Sequence, residues 1–220
     1  MLVMMERMEH LQQQLLAMAD LVTKALDGSV LVLANRDELQ ARRVLDYEDD
    51  INDLEMEIDQ LATEMLALNQ PVARDLRFIT AAIKINSDLE RMGDLAVNIA
   101  RRSLDLLQSK VGLDITEIQE MAKRVQDMLA DAVKAIESAD ADRARRVLAA
   151  DDVVDEIKNR LFAKLVHGIE ADAKSASVNV DLIFIAHSLE RIADHATNIA
   201  EDVLFFVKGM DVRHHHPAES

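Results

Sequence analysis

The sequence predicts an all-α protein made of two tandem, pseudo-symmetric three-helix bundles, with six long helices. The first observation is composition: half of the 220 residues are hydrophobic, and five Gly and two Pro supply too few turns for a β protein. The second is that apolar residues recur every three or four positions, which is one face of a helix. The third is an internal repeat of about 100 residues, which indicates a duplicated unit.

Three helices are predicted in the first half of the chain. Apolar periodicity places helix 1 over residues 4–33 and helix 2 over residues 38–68, and Asp37 can cap the second. Pro71 is expected in the first turn of helix 3, where its missing N–H would be unpaired anyway. Helix 3 is predicted over residues 71–108.

The second half of the chain repeats this order. The string ARRVL at residues 41–45 returns at residues 144–148, at an offset of 103. The segments 87–100 and 187–200 share eight identical residues at an offset of 100. Because the offset falls by three, the first repeat is expected to carry three extra residues near Pro71. Short connections make neighbouring helices antiparallel within each bundle.

Residues 1–109 and 113–210 are predicted to form the two repeats. Residues 211–220 form a polar tail that is expected to be disordered, and its residues 214–216 are three consecutive His that could take up metal.

The formal net charge of −16 disfavours binding to nucleic acid or anionic lipid. The absence of Cys excludes disulfides and thiolate metal sites. The chain has no signal-peptide pattern and no apolar run near the roughly 20 residues that span a bilayer. We therefore expect a cytoplasmic protein that reaches membranes only through partners.

The segment that is most similar between the two repeats contains a carboxylate pair in each, Glu90 with Asp94 and Glu190 with Asp194. At 100° per residue these side chains lie more than 90° from the centre of the core stripe, so they are expected to face outward. Like charges four residues apart are mildly unfavourable in a helix unless a cation or partner compensates them. A solvated acidic face is the alternative. The ferritin-like di-iron centre is disfavoured, because it needs inward carboxylates and a Glu-x-x-His pair.

The second helices supply oxygen ligands at the same spacing. Glu48 and Asn52 in the first repeat match Asp151 and Asp155 in the second. If the second and third helices are antiparallel neighbours, four side chains per repeat converge on one hard or borderline cation. The candidate metal ligands are Glu48, Asn52, Glu90, Asp94, Asp151, Asp155, Glu190 and Asp194. An outward site of this kind suits an exchangeable or regulatory metal.

Several neighbouring residues leave alternatives open. Asp49 and Asp53 form an equally well spaced acidic pair in the first repeat. His187 is in line with Glu190 but is interpreted as a bystander. Arg91 and Arg191 are expected to pair with nearby acids, because no Gly-rich loop or helix N-terminus supports phosphate binding.

No Ser-His-Asp order, P-loop or dinucleotide fingerprint is present, so the sequence favours an interaction protein over an enzyme. The alternative hypothesis is a metal-dependent enzyme or metal-storage bundle that uses the carboxylate clusters.

Four further motifs stand out along the chain: QPVARDLRF at residues 70–78, DLERMGD at residues 88–94, the related LERIADHA at residues 189–196, and VKGMDVRH at residues 207–214. Together they resemble the PhoU family of bacterial phosphate-transport regulators. The resemblance implies two three-helix bundles, a cytoplasmic homodimer or higher oligomer, and no catalytic activity. It also implies surface metal, as iron or zinc clusters or as magnesium or manganese.

Three pairs match the metal-binding motifs that the resemblance implies: Glu90 with Asp94, Glu190 with Asp194, and Asp151 with Asp155. Asn52 departs from the acidic pattern. The resemblance further implies an adaptor between the ATPase subunit of a phosphate ABC transporter and a phosphate sensor histidine kinase. Such an adaptor would restrain phosphate uptake and the starvation response when phosphate is plentiful.

Overall fold

The computed structural model describes residues 2–107 and 114–209, and within them it contains six long α-helices and no strand. The helices are α1 (Leu2–Asn35), α2 (Glu38–Asn69), α3 (Ala73–Leu107), α4 (Thr116–Ser138), α5 (Ala141–Ala171) and α6 (Ala176–Lys208). A 3-10 turn, Ala173–Ser175, precedes α6. The predicted all-α fold class and its two pseudo-symmetric three-helix units are confirmed.

The second helix of each repeat begins in the same way. The Oδ1 atom of Asp37 accepts hydrogen bonds from the backbone N–H groups of Leu39 and Gln40, at 2.9 and 3.1 Å. Asp140, its counterpart in the second repeat, accepts equivalent bonds at 2.9 and 3.0 Å. These contacts satisfy two of the N–H groups that a helix start leaves unpaired.

Pro71 does not lie in the first turn of α3, so that prediction was wrong. Gln70 ends α2 in the left-handed conformation, with φ of 45°. Ala73, the first residue of α3, also has φ of 45°, which interrupts helical geometry between Pro71 and the rest of the helix. The connection itself is not longer in the first repeat: residues 70–72 separate α2 from α3, and residues 172–175, which include the 3-10 turn, separate α5 from α6.

The apolar stripes predicted for the third helices are buried. The buried positions are Ala82, Ile85, Leu89, Met92, Ala96 and Ile99 on α3, and Leu189, Ile192, Ala196, Ile199 and Val203 on α6. Each fully buried Leu or Ile contributes about 2 kcal/mol through loss of apolar surface from water. On α2 the stripe is less complete, because Leu54 and Leu61 are only partly buried.

The two repeats share one hydrophobic core. Within each repeat the three helices pack against one another, and across the repeats α3 packs along α6 and α1 packs on α4. The contact between α3 and α6 is the most extensive between any two described helices. The third helices therefore form the centre of the molecule, and α2 and α5 lie on its two flanks.

Some sequence predictions lie outside the described residues. These are the end of helix 3 at Gln108, most of the boundary between the repeats, and the tail with its three His residues. No described helix has the length and apolar character needed to cross a membrane.

Candidate functional site

The four candidate ligands of the second repeat lie together on the flank where α5 packs beside α6. Asp151 and Asp155 come from α5, and Glu190 and Asp194 come from α6. Burial, followed by the charges of Asp194, Asp155, Asp152 and Glu190, raises the pKa of Asp151 to about 6. Part of this rise in pKa comes from repulsion between carboxylates on the two helices, and the larger part comes from burial.

Lys158 supplies a cation to this cluster. Its Nζ atom donates hydrogen bonds to Asp155 Oδ1 and Glu190 Oε1, both at 2.8 Å. Burial alone would lower the pKa of Lys158, but these two carboxylates raise it above its usual range. Burial and the charges of Glu190 and Asp155 raise the pKa of Asp194, and Lys158 offsets part of that rise.

The prediction that the carboxylates face outward was wrong for the two glutamates. The side chains of Glu90 and Glu190 are only 14% and 17% exposed, because the second helix of each repeat packs beside them. Asp94 is partly exposed and Asp194 is exposed. Glu190 Oε2 is buried and lies 3.2 Å from His187 Nδ1, without an aligned hydrogen bond among the described residues. His187 is therefore part of this cluster and not a bystander.

In the first repeat, Glu90 and Asp94 lie beside Glu55 of α2. Burial, then the Asp94 carboxylate, raises the pKa of Glu90, and Glu55 adds to the rise. Arg91 offsets part of it, since its Nε atom lies 3.3 Å from Glu90 Oε2 and its Nη1 atom lies 3.9 Å from Asp94 Oδ2. The cation of the first cluster is thus an arginine of the same helix.

The other two candidates of the first repeat lie further along α2. Glu48 accepts a hydrogen bond from Arg101, and Asn52 is partly buried. The alternative acidic pair, Asp49 and Asp53, is exposed. The first repeat therefore places Glu48 against the C-terminal half of α3.

A close helix contact positions the first cluster. A Cβ atom built on Gly93 would lie 2.8 Å from Ile51 Cδ1, so α2 packs closely on α3 at a position where α3 has no side chain. The corresponding residues of the second repeat are Ala193 and Val154, and both are buried. In the second repeat, Ala193 on the third helix is larger than Gly93, and Val154 on the second helix is smaller than Ile51.

The donor atoms of the second repeat fit a hard cation by their chemistry. They are carboxylate oxygens, and burial and neighbouring charges raise the pKa values of Asp151 and Asp194 among them. Glu190 Oε2 is buried without a hydrogen bond among the described residues. In residues 2–107 and 114–209, however, no three Asp, Glu or His side chains are arranged to hold a metal ion. A metal would have to displace the ammonium group of Lys158 from between Asp155 and Glu190.

Sequence reasoning missed Glu55 and Lys158, although a signal was present. The two residues occupy the same position of the repeat, seven residues after Glu48 and Asp151, and therefore two turns along the same helix face. The expected pairing of Arg191 with an acid was also wrong: within the described residues Arg191 makes no ion pair, and the neighbouring Glu190 is paired with Lys158 of α5 instead.

Comparison with known proteins gives a family match over both repeats. The family model described as "PhoU domain" matches residues 15–103 and residues 118–203. A PhoU homolog of Pseudomonas aeruginosa, named as a phosphate-specific transport system accessory protein, is 38% identical over 208 residues, or 94% of this chain and 86% of that protein. A homolog with the same description from Caulobacter vibrioides is 35% identical, over 96% of this chain and 93% of its own.

Two solved structures have the same fold. The crystal structure of PhoU from Pseudomonas aeruginosa matches with a TM-score of 0.91 and 36% identity, over 93% of this chain and 99% of that one. The phosphate transport system regulatory protein PhoU from Streptococcus pneumoniae matches with a TM-score of 0.88 and 29% identity, over 95% and 99% of the two chains.

Proposed function

The chain belongs to the PhoU family, and on that basis we propose that it is an accessory regulator of a phosphate-specific transport system. The observation that carries the proposal is the similarity of both repeats, over nearly the full chain, to proteins named for that role. More specifically, the protein restrains phosphate uptake and the phosphate-starvation response. It acts as an adaptor between the ATPase subunit of the transporter and a sensor histidine kinase, without catalytic activity of its own.

The surface of the molecule supports an interaction role. The net charge of −16 favours basic protein surfaces and cations over nucleic acid. Because α2 and α5 lie on the flanks, each repeat can present an acidic helix pair to a partner. In this proposal the protein is cytoplasmic, forms a homodimer or higher oligomer, and reaches the membrane through the transporter.

Metal binding is a second part of the proposal. Asp151, Asp155, Glu190 and Asp194 would hold a cation in the second repeat, and this assignment is supported by the raised pKa values of Asp151 and Asp194, to which burial and the neighbouring carboxylates contribute. In the first repeat, Glu90 and Asp94 would do so with Glu48 and Asn52. A bound metal, as an iron or zinc cluster or as magnesium or manganese, would supply positive charge that neutralises repelling carboxylates. It would thereby stabilise the flank that α2 or α5 forms with the third helix.

The adaptor role is tested by co-purification and by a reporter. The tagged full chain should retain the transporter ATPase and the sensor kinase, whereas an unrelated ABC ATPase and kinase from the same cells should wash off. A deletion strain should express a starvation reporter in high phosphate, and the restored gene should silence it. Loss of both interactions, together with an unchanged reporter in the deletion strain, would refute the adaptor role.

The metal sites are tested by elemental analysis of two charge-matched variants. The test variant neutralises the acids of the third helices: Glu90→Gln, Asp94→Asn, Glu190→Gln and Asp194→Asn. The control neutralises four exposed acids of α2 and α5: Asp49→Asn, Asp53→Asn, Asp152→Asn and Glu156→Gln. The test variant should lose metal and the control should keep it. Equal metal content in the wild type and the test variant would remove the proposed sites.

A further inference from the structure

Two clefts lie along the contact between α3 and α6, and the internal repeat relates them. The first, which we name the arginine cleft, has a volume of about 410 Å³ and is lined by Asn98, Arg101, Arg102, His187, Ser188 and Arg191. The second, which we name the acidic cleft, has a volume of about 300 Å³ and is lined by Lys84, Ser87, Asp88, Asn198, Glu201 and Asp202. An offset of 100 residues converts most positions of one cleft into positions of the other.

The two clefts carry opposite charges on related backbones. Arg101 and Arg102 of the arginine cleft correspond to Glu201 and Asp202 of the acidic cleft. The repeat supplies both clefts with the same helix pair, so their charge difference comes from side chains alone. A concentration of three arginines is notable in a protein with 25 Lys and Arg against 41 Asp and Glu.

Arg191 has no carboxylate partner within the described residues. Its counterpart, Arg91, lies 3.3 Å from an oxygen of Glu90 and 3.9 Å from an oxygen of Asp94 on its own helix. The carboxylate next to Arg191 is engaged elsewhere, because Glu190 faces Lys158 and His187. Lys158 occupies the repeat position that Glu55 has in the first repeat. Because Glu190 pairs with Lys158, it does not pair with Arg191.

The other two arginines are anchored at the edges of the cleft. The guanidinium of Arg102 stacks over the Phe184 ring, 4.0 Å from its centroid, and its Nη1 atom donates to Asp181 Oδ1 at 3.2 Å. Arg101 donates to Glu48 and is half exposed. A guanidinium has five N–H donors, so each of these arginines retains donors for a ligand after its ion pair is made.

We propose that the arginine cleft binds a phosphoryl group, either as free orthophosphate or as the phosphate chain of a nucleotide. Planar guanidinium groups bind tetrahedral phosphate oxygens through paired, charge-assisted hydrogen bonds. Two of the three lining arginines are already paired with carboxylates, so Arg191 supplies the positive charge that has no partner within the described residues. The volume of the cleft accommodates a ligand as large as a nucleotide.

The lining carboxylate of Asp105 is expected to favour phosphate over sulfate. Hydrogen phosphate carries an O–H group at neutral pH, and that group can donate to a carboxylate, whereas sulfate has no proton to donate. A carboxylate among the arginines therefore weakens the binding of sulfate more than the binding of phosphate. The inference stands independently of the proposed regulatory role, because it depends only on the residues of this cleft.

The test is calorimetric titration of the chelator-treated full chain with orthophosphate, ATP and sulfate in separate arms. Chelation removes metal that could itself bridge an anion to the acidic clusters. The test variant is Arg191→Gln, which breaks no ion pair and should keep the helical circular-dichroism spectrum. The matched control is Arg91→Gln, which removes the same charge at the repeat-related position.

We expect saturable binding that Arg191→Gln weakens about 10-fold or more, the effect of losing charge-assisted hydrogen bonds, and that Arg91→Gln leaves unchanged. Tighter binding in the orthophosphate arm than in the ATP arm would identify free phosphate as the ligand, and the reverse order a nucleotide. No binding of either ligand at about 10 mM, a limit that corresponds to very weak affinity, would overturn the proposal. Equal weakening by the two variants, or equal affinity for sulfate, would also overturn it.

Discussion

The contact between Gly93 of α3 and Ile51 of α2 sets how closely the two helices approach beside the first acidic cluster. Replacing Gly93 by Ala would add a Cβ atom 2.8 Å from Ile51 Cδ1 and 3.3 Å from its Cγ2 atom. The second repeat has Ala193 and Val154 at these positions. We therefore predict that Gly93→Ala destabilises the protein alone but is tolerated together with Ile51→Val.

The magnitude follows from the distance. Carbon atoms pack best at about 3.5–4.0 Å, so Ile51 must move by nearly 1 Å to accept the new methyl group. Such overpacking costs about 1–3 kcal/mol, and the better helix propensity of Ala returns about 1 kcal/mol. Ile51→Val alone costs about 1 kcal/mol. Because Val lacks the Cδ1 atom, the two changes together should be more stable than their sum by about 1–2 kcal/mol.

Urea denaturation of the wild type, both single variants and the double variant closes a thermodynamic cycle that measures this coupling. The reciprocal exchange in the second repeat, Ala193→Gly with Val154→Ile, serves as the control and should also show coupling. Additive effects, within about 0.5 kcal/mol, would refute the argument that these positions are matched.

Three further outcomes are expected. Asp151→Asn should stabilise the protein above about pH 6 and have no effect below about pH 4. The reason is that the pKa of Asp151 in the folded protein, about 6, lies above its value in the unfolded chain. Ionisation of the wild-type carboxylate with rising pH therefore lowers the stability of the folded protein. Reduced for solvent screening, the gain is on the order of 1 kcal/mol in urea denaturation. Lys158→Gln, which frees Asp155 and Glu190, should increase the rise in Tm on adding Mn²⁺ by about 2–4 °C, in thermal denaturation monitored by circular dichroism. Asp37→Ala should cost about 1 kcal/mol in urea denaturation, because α2 loses its N-cap.

Each of these outcomes has a matched control. Asp152→Asn neutralises an exposed neighbour of Asp151 and should change stability much less; an equal gain would show that the effect is general charge repulsion. Lys158→Arg keeps the cation and should respond to Mn²⁺ as the wild type does. A Lys158→Gln variant with the wild-type response would argue against metal at this cluster. Asp37→Asn retains a capping oxygen, and a loss equal to that of Asp37→Ala would contradict the capping argument.

Local patterns were sufficient to predict the helices and their buried faces. The three- and four-residue spacing that placed Leu89, Met92 and Ile99 on one face of α3 is a property of the helix itself, and these residues are fully or almost fully buried. Pro71 was misplaced because the left-handed conformations at Gln70 and Ala73 leave no mark in residue type. The exposure of Glu90 was misjudged because it depends on α2 and not on the angle around α3 alone.

By itself, the sequence determined the helical class, the duplication and the set of acidic positions, because periodicity and repetition are carried by the order of residues along the chain. Only the tertiary structure decided which charges meet: that Lys158 lies between Asp155 and Glu190, and that Arg102 stacks on Phe184 in a cleft between the repeats. The Lys158–Glu190 and Arg102–Phe184 contacts join different helices, whereas Asp155 lies three residues before Lys158 on α5. Which residues meet between helices depends on the register and packing of one helix against another, and the periodicity within a single helix does not determine either.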